Sequence, residues 1–189
     1  IGADVVSGGE LYTALKADFP AQKLIFHGNN KLDSELELAV LNNVGIIVID
    51  SISEAEKLNK IASQFNKDIS VLIRVNPGIE AHTHHFVQTA TVDSKFGFSI
   101  SNGDAENFIK QVNEFSNLKL KGLHCHIGSQ IFEKKSYVLA IKKMTDFYKH
   151  LNDELGLIFD VLNLGGGFGI WYTDDDLKFT LSDYANMVK

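Results

Sequence analysis

Only one cysteine, Cys125, stands among the 189 residues. A single thiol cannot build an internal disulfide framework, and such scarcity fits a reducing compartment, so a cytoplasmic protein is expected. Positive charge is also in short supply. Eighteen Lys and Arg stand against 24 Asp and Glu, for a net charge of −6, and the cations form no stripe. A nucleic-acid partner is therefore not expected. Long apolar runs are missing too; none reaches the roughly 18 residues that a membrane span needs, so no membrane partner is expected. The chain opens on Ile1-Gly-Ala-Asp4 without an initiator Met, signal peptide or basic leader. That opening reads as the middle of an element, and a fragment of a longer protein is expected. The remainder, 44% hydrophobic and 22% charged, is ordinary for a soluble globular chain.

Apolar, β-branched runs alternate with helical patterns. Strands are expected at Asp4 to Ser7, Lys23 to His27, Gly45 to Asp50, Ile69 to Val75, Leu118 to Ile127 and Val161 to Leu164. Helices are expected over Gly9 to Ala17, Ser34 to Leu41, the stretch ending near Phe65, Ala105 to Phe115, Ser136 to Leu155, and from Ser182 onward. Ser53 and Glu56 read as a capping box for the third helix. Continuous apolar strands separated by helices imply a parallel sheet covered by helices. A complete eight-unit barrel takes about 250 residues. The reading is thus an α/β fold, an incomplete (β/α)8 TIM-type barrel of about six units, with flavodoxin-like and Rossmann sheets as the alternatives.

Polar side chains gather at the strand ends: Asp4, His27, Asp50, Arg74 and His126. In a barrel they converge on one mouth. Each has a plainer reading. Asp50-Ser51 can serve only to cap a helix, and His27 can be a satisfied core histidine. Arg74 is harder to dismiss, because a guanidinium stays charged and needs acceptors when buried. Side chains alternate along a strand, so His124 and His126 share one face while Leu123, Cys125 and Ile127 share the other. His-x-His at a barrel strand end can bind zinc, but that chemistry asks for further ligands on later strands, and the next strand ends in glycine.

That glycine run, Gly165-Gly166-Gly167-Phe168-Gly169, does not match the dinucleotide fingerprint G-x-G-x-x-G. It is either a plain tight turn or a place where backbone approaches a ligand closely. Gly128-Ser129 forms a second small-residue turn. Two such turns suggest one phosphate held between them. An imidazole, a basic strand residue and a phosphate cradle together suggest pyridoxal phosphate, which also requires a Schiff-base lysine. Lys31 starts a helical region and Lys95 lies in the long Pro77–Asn102 insertion. Neither is expected at a strand end facing the mouth.

Seven motifs in order carry a resemblance over essentially the whole chain: Asp4 to Leu11, His27-Gly-Asn-Asn-Lys31, Arg74-Val-Asn-Pro-Gly78, Glu80-Ala-His-Thr-His84, Lys95-Phe-Gly-Phe98, Gly122 to Phe132 and Leu164 to Gly169. With them the chain resembles the diaminopimelate decarboxylases, a family of alanine-racemase-like, fold-type III pyridoxal-phosphate enzymes. The resemblance implies that His126 stacks on the cofactor ring and that Ser129 and the backbone of Gly165, Gly166 and Gly167 hold the phosphate. It implies that Asp4 lies beside the Schiff-base lysine and Arg74 beneath the cofactor. His27, Asn29 and His84 become substrate-site candidates, and no metal is called for. Residues 1–189 would form a partial pyridoxal-phosphate-binding barrel domain, units two to seven, with the first strand and a C-terminal β domain outside this chain.

The implied activity of the full-length protein is decarboxylation of meso-2,6-diaminopimelate to L-lysine, in a homodimer. The alternatives are a related ornithine, arginine or carboxynorspermidine decarboxylase, a non-catalytic relative that binds cofactor or a partner, and a zinc amidohydrolase-like barrel. The 189-residue chain alone is expected to be inactive, with two open sheet edges.

Overall fold

The computed structural model describes residues 2–79, 96–172 and 180–188. The strands are β1 (Ala3–Val5), β2 (Leu24–Phe26), β3 (Ile46–Ile49), β4 (Ile69–Asn76), β5 (Phe98–Ser99), β6 (Leu118–His124) and β7 (Val161–Asn163). All pairings are parallel, in the order β1-β2-β3-β4-β6-β7, and β5 joins the end of β4. Apart from β5, each strand pairs with the next along the chain. A doubly wound sheet would reverse its strand order at a switch point; this one does not. Right-handed crossovers then place every connecting helix on one face and leave the other as a barrel interior. The chain is an incomplete TIM-type barrel of six β/α units.

The helices are α1 (Gly8–Lys16), α2 (Asp33–Leu41), α3 (Ile52–Gln64), α4 (Asp104–Asn113), α5 (Lys134–Leu155) and α6 (Leu181–Val188). The apolar stripes of α1 to α5 meet the outer face of the sheet in one main core. Val5, Phe26, Ile47, Ile49, Val71, Ile73, Leu123 and Cys125 pack there against Leu11, Leu36, Leu58, Ile109, Met144 and Leu151. The period of two sends the intervening residues inward: Asp4, His27 beyond β2, Asp50 beyond β3, and Arg74. No described helix is long and apolar enough to cross a membrane.

One irregularity decides what reaches the interior. In β6, Val71 pairs with Leu120 but Leu72 pairs with Gly122, so Lys121 is an extra residue. This bulge switches faces. Leu118 and Leu120 lie in the helix-side core before it, and Leu123 and Cys125 do so after it. Without the bulge, His124 would fall on the same face as Leu118 and Leu120.

The third helix departs from expectation. Its N-cap is Ser51, whose Oγ accepts from the Glu54 amide at 3.2 Å. The Ser53–Glu56 capping box does not form. Asp50 turns inward, and Ser51 is therefore the residue left extended (φ −153°) as the chain enters α3. Within the long Pro77–Asn102 insertion, β5 was not anticipated. His84 and Lys95 lie outside the described residues.

Candidate functional site

At the C-terminal ends of the strands a cavity of about 260 Å³ opens. Asp4 and Val6 line it from β1 and its exit, and His27, Gly28 and Asn29 from the turn after β2. Arg74 comes from β4, His124 from β6, and His126, Gly165 and Gly166 from the turns beyond β6 and β7. Five strands thus contribute, in the arrangement that a barrel mouth produces.

The guanidinium of Arg74 is held from two sides. Its Nη1 donates to Asp50 Oδ2 at 3.0 Å, and its Cζ lies 4.7 Å from the centre of the Phe96 ring. Asp50 Oδ1 accepts from the Gly97 amide at 2.7 Å. Asp50 is therefore an Arg74 ligand rather than a helix cap. Arg74 and His124 are register partners across β4 and β6.

Three imidazoles share the mouth. The rings of His27 and His124 meet edge to face at 4.6 Å. His27 Nε2 is 3.3 Å from Asp4 Oδ1 but lacks hydrogen-bond geometry, and His124 Nδ1 likewise has no hydrogen bond among the described residues. Burial holds His124 well below the ordinary histidine range, aided by the neighbouring His27 and Arg74. Burial lowers His126 too, with Arg74 and His27 adding to it. Both rings are neutral near pH 7. Burial pushes the Cys125 thiol up to about 12, so it is a packing residue rather than a nucleophile.

The two turns are stitched together. Asn163 Oδ1 accepts from the Gly165 amide at 2.8 Å, starting the glycine run. Ile131 donates to Gly167 O at 3.0 Å, Gly169 donates to Ile131 O at 2.9 Å, and the Gln130 amide brackets Ile170. Gly167 has a positive φ of 90°, and a Cβ there would lie 1.8 Å from Gly128 O. Gly165 likewise has φ 71°, and its Cβ would press on Cys125 O and the His126 ring. At Gly166 a Cβ would meet nothing within 4 Å. The run is therefore more than a turn that happens to be small: two of its glycines are compelled by the backbone and the middle one faces open space.

Of the residues singled out from sequence, Asp4, His27, Asn29, Arg74, His126, Gly165 and Gly166 come together. Ser129 does not line the cavity; it is exposed on the turn after β6. Gly167 packs behind, against Gly128. His84 lies outside the described residues. Sequence reasoning passed over His124 as a site residue, although its alternation with His126 was the available signal. Lys31 does not line the mouth, as expected; its side chain is buried with Glu54, a contact that sequence reasoning did not anticipate. Among the described residues, no three of His, Cys, Asp and Glu are grouped to hold a metal ion, so the zinc alternative finds no ligand set there. A larger cavity, about 630 Å³, lies beside Phe168, Trp171, Leu181 and Tyr184; among the described residues its lining carries no charged group.

Fold and mouth together define a barrel-type α/β domain whose polar groups and glycine turns converge at the C-terminal ends of its strands. The chain belongs to the pyridoxal-dependent decarboxylases: residues 1–189 match the family's pyridoxal-binding domain. It is 45% identical over 188 residues to the diaminopimelate decarboxylase of Bacillus subtilis (strain 168), covering 100% of this chain and 43% of that protein. Among solved structures, the diaminopimelate decarboxylase of M. jannaschii in complex with L-lysine matches with a TM-score of 0.90 at 36% identity, covering 99% of this chain and 43% of that one. The Helicobacter pylori enzyme complexed with L-lysine matches with a TM-score of 0.91 at 30% identity, covering 99% and 46%. The chain thus spans less than half the length of these relatives.

Proposed function

We propose that the full-length protein is a carboxy-lyase that converts meso-2,6-diaminopimelate to L-lysine and carbon dioxide, the last step of lysine biosynthesis, with pyridoxal phosphate as cofactor. The observation that carries this reading is 45% identity to a diaminopimelate decarboxylase across the whole of this chain. The residues at the mouth fit the cofactor. Gly166 leaves room where a phosphate would approach the backbone. Among the described residues, nothing accepts from the Gly166 or Gly167 amide, and free amides of this kind suit an anion.

Pyridoxal phosphate, when bound, supplies the sink for electrons released as carbon dioxide leaves. The chain's own residues orient and shield. His126, neutral and half-buried at the mouth, would cover one side of the cofactor and exclude water there. The Gly166 and Gly167 amides would hold the phosphate, with Gly165, its own amide held by Asn163, shaping the turn and Ser129 on the turn beside it. Arg74, its guanidinium fixed by Asp50, would bring positive charge to the cofactor. Asp4, beside His27, would lie next to the Schiff-base lysine. His27 and Asn29, which line the cavity, would face the substrate. The domain supplies barrel units two to seven of a cytoplasmic homodimer.

The test uses full-length protein with pyridoxal phosphate. An absorbance band trapped covalently by borohydride is expected, followed by lysine release from meso-diaminopimelate. A trapped band with release from ornithine or arginine instead would overturn the substrate assignment and keep the decarboxylase class.

A further inference from the structure

Beneath the mouth runs a line of four buried charges that the roles above leave half unused. Lys31 is 6% exposed and Glu54 6% exposed. The three ammonium protons of Lys31 are all taken: Nζ donates to Gly28 O at 2.7 Å, to Val48 O at 2.7 Å and to Glu54 Oε1. The other Glu54 oxygen, Oε2, accepts from the Asp50 amide at 3.1 Å. Asp50 in turn holds Arg74 and the Gly97 amide. The line therefore joins the turn after β2, the end of β3, α3, β4 and the start of β5. One end grips the carbonyl of Gly28, which lines the cavity, and the other ends at the guanidinium of Arg74, which also lines it.

A buried ion pair is a poor way to gain stability, because desolvation offsets most of the attraction. Burial lowers Lys31 and raises Glu54, each opposed by the other. Apolar side chains of similar volume would fill this space without that cost. What they could not do is bind Gly28 O, Val48 O and the Asp50 amide at once. The polar line fixes geometry that apolar packing leaves loose.

We propose that Lys31 and Glu54 are positioning residues: through Asp50 they set the Arg74 guanidinium, and through Gly28 O they set the His27–Asn29 turn, around the phosphate-bearing ring that this mouth takes. The proposal rests on the cofactor assignment above but not on the identity of the substrate.

The experiment uses full-length protein and compares the wild type with the charge-neutral double variant Lys31→Met/Glu54→Leu, with Arg74→Lys, and with all three changes together. Thermal midpoint, pyridoxal-phosphate Kd and separate kcat and KM are measured. A purely structural pair predicts that the double variant, having no unpaired charge, recovers all of these together. Positioning predicts a midpoint within about 4 °C of wild type but a Kd raised roughly tenfold and a lower kcat. It also predicts that adding Arg74→Lys to the double variant costs little more, because both changes act through the same guanidinium. A folded double variant with wild-type Kd and kcat overturns the proposal, as do fully additive losses. Should the double variant not fold, Glu54→Gln, assayed below its own midpoint, must raise Kd in the same direction; an unchanged Kd overturns the proposal. A ligand-free arm separates the two readings. Hydrogen exchange at the Gly97 amide, bonded to Asp50 Oδ1, must quicken in the double variant even if wild-type protein releases no lysine.

Discussion

His124 and His126 show how one residue type takes different duties from its neighbours. Both sit on the inner face, both are neutral, and burial is the larger cause in each. A histidine held low in the folded state makes stability depend on pH. Above about pH 6.5, the ordinary value, the group is neutral in folded and unfolded chains alike and adds no slope. As pH falls below that value, the unfolded chain binds a proton that the folded one refuses. Stability then falls, by at most about 1.4 kcal/mol per pH unit for each such histidine, and the loss levels off only below the folded pKa. The thermal midpoint is therefore expected to drop between pH 7 and pH 5. His124→Asn, which cannot titrate, is expected to drop less steeply over the same window. Parallel curves for the two proteins would mean that His124 takes up its proton in the folded state at an ordinary pH.

At the scale of the element, the bulge at Lys121 does for β6 what composition does for the other strands. It lets a strand that begins with Leu118 and Leu120 toward the helices end with His124 and His126 toward the mouth. Immediately after it, Gly122 lets β7 approach: a Cβ there would lie 1.7 Å from Val161 O, a backbone atom that cannot swing away. Gly122→Ala is expected to cost more than about 2 kcal/mol, in the range of overpacking and backbone displacement. Gly166→Ala, with open space around it and no positive φ, is expected to cost under about 1 kcal/mol yet raise the pyridoxal-phosphate Kd, because the methyl enters the space given to the phosphate. Denaturant midpoints and cofactor titrations of the two variants check the contrast; a large stability loss in Gly166→Ala would show that the turn is simply tight.

These elements also mark what the sequence made legible. Asp4, His27, Arg74 and His126 could be placed at one mouth because each ends an apolar strand whose period is two. Lys31 could not, since it follows a loop and nothing local says that its side chain runs inward to Val48 and Glu54. The bulge was equally hidden, because register is a property of two strands and β4 lies more than 40 residues before β6. Ser51 displaced Ser53 as the cap because Asp50 was drawn toward Arg74, a contact made across the sheet. Ser129 has the right chemistry beside the right turn, but its exposure depends on how the neighbouring glycine run folds against it.

Over the whole molecule, apolar packing is divided unequally. The main core joins β1 through β6 to α1 through α5. A second, smaller cluster of Ile79, Ile127, Ile131, Tyr137 and Ala140 carries Phe168, Tyr184 and Met187. Its apolar contacts hold α6, through Tyr137 against Phe168 at 5.0 Å and Tyr184 at 5.8 Å, with the exposed Lys134–Asp183 ion pair beside them. No residue of α6 is fully buried. Opening free energy should follow this division. Amides of β3 and β4 are expected to exchange slowest with deuterium, and those of β7, the glycine run and α6 fastest. A ligand at the mouth touches the ends of five strands at once, including the glycine run, and binds only when they are assembled. It therefore adds RT ln(1 + [L]/Kd) to any opening that breaks the site, about 2.7 kcal/mol at one hundred times Kd. In full-length protein, pyridoxal phosphate is expected to slow exchange at residues 161–169, where opening is otherwise cheapest, and by the same factor at β3, whose amides wait for a global unfolding that also breaks the site. Equal exchange rates along the chain without the ligand would mean that the sheet opens as one unit and that the second cluster is no weaker than the first. Protection absent from 161–169 would remove the glycine run from the phosphate site.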